Sequence, residues 1–179
     1  ACNLSWYYGT GKPGSYQISF YDTAIHEIMH GLGFISLWDP NAQWYDNYND
    51  IFSKHLGAGS SNSTGAWVNQ HAELVGQAAV ASNNVYWQGA KGKQFAKLLA
   101  GLPNKPQMYA PNPYQGGSSI SHFDQAISYL TGEQEMMEPY ASGSVLSHLS
   151  AAIFCDIGWG LKTDFDGDGI NDCTDALPL

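Results

Sequence analysis

Apolar residues recur at three- and four-residue spacing in a few short stretches, and these predict the helices. Ile25, Met29 and Leu32 mark one side of a helix from about Phe20 to Gly31. Ser19, with Asp22 three residues on, resembles a capping box at its start. Gly31 and Gly33 supply its stop. Residues 145–156 (VLSHLSAAIFCD) read as an amphipathic helix closed by Gly158, and residues 93–100 as a helix ended by Gly101 and Pro103. Residues 70–81 follow an Asn69 cap and read as helical, and a short helix is expected around 48–56. Strand signals are fewer. The aromatic run 4–8 (LSWYY) predicts a short strand before a turn at 9–14, and 16–21 reads as a strand or as the lead-in to the helix. Residues 107–110 make a further strand candidate. Between these lie loop-rich segments: 36–69, anchored by Trp38, Trp44, Tyr45, Tyr48, Phe52 and Trp67 and containing a flexible surface loop at 57–65, and a long turn at 111–119. No internal repeat is found. The pattern predicts an α+β chain.

Composition narrows the function classes. The 179 residues are 44% hydrophobic, with 20 Gly and 8 Pro, which suits one domain or a domain and a short module. Charged residues make up 13%, the basic ones are all Lys, and the net charge is −9. So little positive charge argues against nucleic-acid binding through phosphates. No apolar run approaches the length of a membrane span. The charge is uneven, because Asp164, Asp166, Asp168, Asp172 and Asp175 crowd a C-terminal tail that holds no Lys after Lys162. Cys2, Cys155 and Cys173 are odd in number, consistent with one disulfide and one thiol or with a partner outside the chain. Few Lys and many Asn, Ser, Tyr and Trp suggest a secreted, extracellular protein. Ala1 reads as a processed or cut end.

The chemistry lies in His26-Glu27-Ile28-Met29-His30, an HExxH motif. On a helix, imidazoles at i and i+4 project from one face, one turn apart, and can share a zinc ion. Glu27 stands beside them as a general base for a water. The bland reading is a buried helix with two satisfied histidines, but it leaves Glu27 unexplained. A catalytic zinc usually takes three protein ligands, and His55, His71, His122 and His148 remain. Gly33 follows His30 by three, as in the metzincin pattern HExxHxxGxxH, but the next position of that pattern holds Ser36.

HEIMHGLGF resembles the active-site helix of leishmanolysin-like metalloproteases. SWYYG before it, MYAPNPYQGGSSISHFD, QEMMEP and the closing IFCDIGW resemble secreted bacterial relatives of that group, so the resemblance spans most of residues 4–160. In that family an insertion displaces the third His far downstream and a Met-turn follows it. The resemblance therefore implies His122 as third zinc ligand and Met137 as the Met of the turn. It also implies a metzincin-like zincin fold, with an active-site helix, a small sheet that is truncated here, and a mainly helical, loop-rich C-terminal part. Other readings stay open for the parts. His122 is otherwise a loop histidine; His71 or Glu73 is an alternative third ligand, the latter giving a gluzincin-like site. Met137 is otherwise core, with Met136 the alternative turn residue. His55 and His148 read as structural, Tyr140 as packing rather than oxyanion support, and Glu138 as a hydrogen-bonding acid.

In the tail, Asp164, Asp166 and Asp168 take calcium-loop positions 1, 3 and 5, with Gly169 at 6, the Ile170 carbonyl at 7, Asp172 at 9 and Asp175 at 12. Asp replaces the usual Glu at the last position. The DxDxDGxxDxxD spacing resembles thrombospondin type 3 repeats; the alternative is a solvated acidic tail.

These observations together predict a protease domain over 1–160 and a calcium-binding tail over 161–179. The expected function is a secreted zinc endopeptidase that acts on protein or peptide substrates, with residues 5–9 as an edge strand that pairs with the substrate. Only a short stretch precedes His26, so a longer native chain is expected. The rival is a non-catalytic extracellular binding module, stabilised by calcium and derived from a protease. Neither reading yields the oligomeric state.

Overall fold

The computed structural model describes residues 4–38, 50–58, 80–99, 101–140 and 146–178. Among the described residues, helices are mixed with two small sheets, an α+β arrangement. Strand β1 (Ser5–Tyr7) pairs in parallel with β2 (Gln17–Ser19), Trp6 opposite Ile18. The segment 16–21 is thus both of the things it was expected to be, since the chain passes from β2 directly into helix α1 (Phe20–Gly31). Ser19 caps α1, its Oγ accepting from the Asp22 amide at 3.1 Å.

A single 3-10 turn (Ser53–His55) leads into β3 (Leu56–Ala58), which pairs antiparallel with β4 (Val85–Trp87). The expected helix at 48–56 is therefore not formed over 50–56, because Leu56 and Gly57 are drawn into the sheet with Trp87 and Tyr86. The part of the 57–65 loop that is described belongs to β3. Helix α2 (Ala90–Leu98) begins before the expected Lys93, because Asp156 caps it from another helix. Residues 107–110 make no strand, only bridges of Gln107 to Tyr86 and of Met108 to Phe123. Helices α3 (Ile127–Thr131) and α4 (His148–Asp156) follow, α4 capped by Ser147. Of the predicted helix at 70–81, only Val80 and Ala81 are described; Cys2, Trp44, Tyr45, Tyr48, Trp67 and Val145 also lie outside the described residues.

The core gathers Phe34, Phe52, Trp87, Phe95, Met108, Phe123, Met137, Leu149 and Phe154. Phe34 is its centre, with Phe52 and Phe123 rings 4.9 and 5.2 Å away. On α1 only Met29 is fully buried; Ile25 packs partly, and Leu32 and Ile28 remain exposed at 43% and 58%, so the stripe read from Ile25, Met29 and Leu32 is half outside the core. Among the described residues no helix is long and apolar enough to cross a membrane.

The tail is docked on the body. Cys173 forms a disulfide with Cys155 of α4, Cα atoms 5.3 Å apart. The Asp175 carbonyl accepts from Lys91 Nζ at 2.5 Å and from Gln94 Nε2 at 3.2 Å, both on α2. Phe165 packs on the His148 ring at 4.1 Å.

Candidate metal centre

One helix and one loop bring three imidazoles together. His26 and His30 lie on one face of α1, a turn apart. His122 comes from the loop that follows the cis Asn112–Pro113 bond. The three Nε2 atoms form a triangle: His26 to His122 3.1 Å, His30 to His26 3.1 Å, His30 to His122 3.2 Å.

Each ring is held from behind by a backbone carbonyl. The Nδ1 atoms of His26, His30 and His122 lie 2.8, 2.7 and 2.8 Å from the carbonyl oxygens of Met136, Phe34 and Ser118. A carbonyl only accepts, so each Nδ1 carries the proton and each neutral ring turns an Nε2 lone pair inward. Burial lowers the pKa of His30, opposed by the Phe34 carbonyl, lowered further by His26 and raised by Glu27. Burial carries His122 down to about 4 against the help of the Ser118 carbonyl. Both rings are therefore neutral near pH 7. Three converging lone pairs with no proton among them repel one another, and a cation between them removes that repulsion.

The local sequence explains the carbonyls. Gly33 at φ 107° lets the chain reverse after α1, so that the Phe34 amide bonds to Met29 and its carbonyl reaches back to His30. The His122 loop is pinned by Ile120, a β-branched residue at φ 58°. Its amide bonds to the Tyr109 carbonyl at 2.6 Å, and the Tyr109 amide bonds to the His122 carbonyl at 2.8 Å. Such strain, about 1–3 kcal/mol for a left-handed residue with a side chain, persists only where surrounding contacts hold it.

The donor set fits a nitrogen-preferring divalent metal. In a tetrahedral shell with zinc–nitrogen lengths of about 2.0–2.1 Å, ligand nitrogens stand about 3.3 Å apart, close to the observed triangle. Nδ1–H donation to a carbonyl is the usual outer support of a metal-bound histidine. His71 and Glu73, the alternative third ligands, lie outside the described residues. His55 instead stands against the Trp87 ring at 5.0 Å, and His148 pairs with Glu133.

Glu27 is exposed beside this cluster, its charge acting on His30, and it has no hydrogen bond or ion pair among the described residues. Met136 and Met137 are both buried. The Met136 carbonyl meets His26 Nδ1, and the Met137 carbonyl accepts from the amide of Phe123, the residue after His122, at 2.8 Å. Tyr140 is exposed and donates to Gln115 at 3.4 Å. Glu138 accepts from the Ser128 amide at 2.6 Å, and burial raises its pKa. A cleft of about 600 Å³ lies at the start of α1, lined by Lys12, Gln17, Asp22, Thr23 and Gln134 among others; none of the three histidines lines it.

Sequence reasoning passed over Glu135. It is 2% exposed and joins the 136–137 turn to α4 through Ser147 and Ser150. Glu135 touches no His, and its one signal in the sequence is its place directly before Met136 and Met137.

In the tail, Asp164, Asp166 and Asp168 bring one carboxylate oxygen each within 4.8 Å of one another. The loop turns at Gly167 and Gly169, both at positive φ, and the Gly169 amide bonds to Asp164 at 3.0 Å. The Asp168 amide lowers the pKa of Asp166, but desolvation and the charges of Asp168, Asp175 and Asp164 together carry it above the ordinary value. Asp172 and Asp175 are 1% and 6% exposed, and each keeps one buried carboxylate oxygen without a hydrogen-bond partner. The Ile170 amide bonds to Asp168 at 2.7 Å. No protein-family model, no curated protein and no solved structure matches the chain.

Proposed function

We propose that the chain is a secreted zinc endopeptidase of leishmanolysin-like, metzincin type, with a calcium-binding tail of the thrombospondin type 3 kind. The observation that carries the reading is the triangle of Nε2 lone pairs, each ring fixed from behind by a carbonyl, with exposed Glu27 at its side. His26, His30 and His122 would hold the metal. Bound zinc supplies Lewis acidity toward a peptide carbonyl and acidifies water in the site. Glu27 takes the proton of the attacking water and delivers it to the leaving amine. The three carbonyls keep the rings from turning as charge changes beside them. The outer edge of β1 offers backbone groups to an extended substrate, with Trp6 and Tyr8 exposed along it. That geometry favours unfolded or extended protein segments.

The calcium reading rests on two separate observations, the orphaned oxygens of Asp172 and Asp175 and the close group of Asp164, Asp166 and Asp168, which does not include them. A buried carboxylate oxygen with no donor is costly, and a hard cation satisfies it. The Cys155–Cys173 disulfide suits an oxidising compartment.

The test is cleavage of an unfolded protein substrate by zinc-loaded chain and by Glu27→Gln. The variant should keep its zinc and lose about 10²- to 10⁴-fold in rate. Cleavage at the wild-type rate, or none by the zinc-loaded wild type, overturns the reading.

A further inference from the structure

Glu135 carries more than its place in the core requires. Its Oε1 accepts from the Met137 amide at 3.0 Å and from Ser150 Oγ at 2.6 Å, and its Oε2 from Ser147 Oγ. Its own amide donates to Ser128 Oγ at 2.8 Å. Burial alone would oppose a carboxyl here and does raise its pKa, against the pull of these three donors. The carboxyl therefore ties the 135–137 turn to the cap of α4, while the backbone amide of the same residue holds the start of α3.

The turn so fixed is the one that supports the histidines. Met136 presents its carbonyl to His26 Nδ1 at 2.8 Å, and Met137 presents its own to the amide of Phe123, the residue after His122. His26 and His122 come from segments far apart in sequence, and the 136–137 backbone is what both lean on. Nothing else described ties that backbone to α4 by a side chain.

We propose that Glu135 is a positioning residue of the metal centre: it locks the 136–137 turn, and through it the aim of His26 and the reach of His122. The proposal rests on the reading that the three histidines hold zinc. Loss of the carboxyl frees the turn, the Met136 carbonyl swings, and the His26 ring loses its fixed tautomer and direction. Outer supports of this kind are worth about 10- to 100-fold in metal affinity.

The experiment is zinc titration of the full chain against a chromophoric chelator, with cobalt spectra as a report on geometry, on samples verified as folded by circular dichroism. Glu135→Ala should bind zinc about 10- to 100-fold more weakly and shift the cobalt bands. Glu135→Gln, which keeps an acceptor for Met137 and Ser150, should recover most of the affinity. Asp156→Ala, which destabilises the fold from the far end of α4, should bind zinc as the wild type does. Where Glu135→Ala does not fold, Ser147→Ala with Ser150→Ala removes two of the three donors and should show the same direction of loss. Wild-type affinity and an unchanged cobalt spectrum in the folded variants overturn the proposal. A wild-type chain that binds no zinc, or a His122→Ala chain that binds it undiminished, overturns the underlying site instead.

Discussion

Asp156 offers the clearest energetic test of the scaffold. It ends α4, yet its carboxylate serves α2: Oδ1 accepts from the Lys91 amide and Oδ2 from the Gly92 amide, both at 2.8 Å. Oδ2 also accepts from Trp87 Nε1 at 2.8 Å. The residue at the N-cap of α2 is Gly89, which has no side chain to cap with. It has none for a steric reason, since a Cβ there would stand 2.1 Å from Asp156 Oδ2. In Asp156→Ala the Trp87 indole N–H is left buried, at about 1–3 kcal/mol. The lost cap adds about 0.5–2 kcal/mol, and the lost charge at a helix N-terminus about 0.3–1 kcal/mol. The sum is about 2–6 kcal/mol, a large share of the stability of a domain this size. Asp156→Asn can turn its oxygen to Trp87 and Gly92 and forfeit only Lys91 and the charge, so about 1–2 kcal/mol is expected. Urea unfolding with the disulfide intact and metals held constant measures both. At a slope of about 2 kcal/mol per molar, the Ala variant should lose about 1–3 M in midpoint. An Ala variant within about 0.5 kcal/mol of wild type, or an Asn variant as damaged as Ala, would refute the cross-capping argument.

Calcium should order residues 164–175 and shield them from an added protease, and Asp166→Asn with Asp168→Asn should abolish that shielding; equal calorimetric calcium binding by both chains counts against the loop. Burial lifts the Glu135 carboxyl to about 7, so the folded state holds a proton that the unfolded chain gives up near its ordinary value. Its contribution is present at low pH and is lost as pH rises from about 4.5 to about 7, an upper bound of about 3 kcal/mol. His122, lowered to about 4, acts in the opposite sense in metal-free protein, losing stability as pH falls below about 6.5. The unfolding free energy of the wild type should therefore fall relative to that of Glu135→Gln from pH 5 to pH 8; a constant difference refutes the burial argument.

Much of the centre was legible from local rules. The HExxH spacing needs only a helix to bring His26 and His30 together, and Ser19 and Gly33 mark where that helix starts and where the chain turns back. His122 was legible only by resemblance, since nothing in SISHFD itself says which histidine reaches α1. What stayed hidden is tertiary. The three-residue β4 is too short to show a period, and the five-residue α3 has Ala126 at its N-cap, with no side chain to cap it. Helix α2 starts early because its cap comes from Asp156, 65 residues from Lys91 in the chain. The supporting carbonyls of Phe34, Ser118 and Met136 are backbone atoms, which no side-chain motif encodes, and Glu135 reaches only the turn that carries the last of them.

If three imidazoles share one zinc ion, X-ray absorption at the zinc edge reads it directly. One zinc per chain is expected, with three imidazole nitrogens at about 2.0–2.1 Å and one oxygen ligand, falling to two imidazoles in His122→Ala. A sulfur scatterer, or an imidazole count unchanged in that variant, would contradict it.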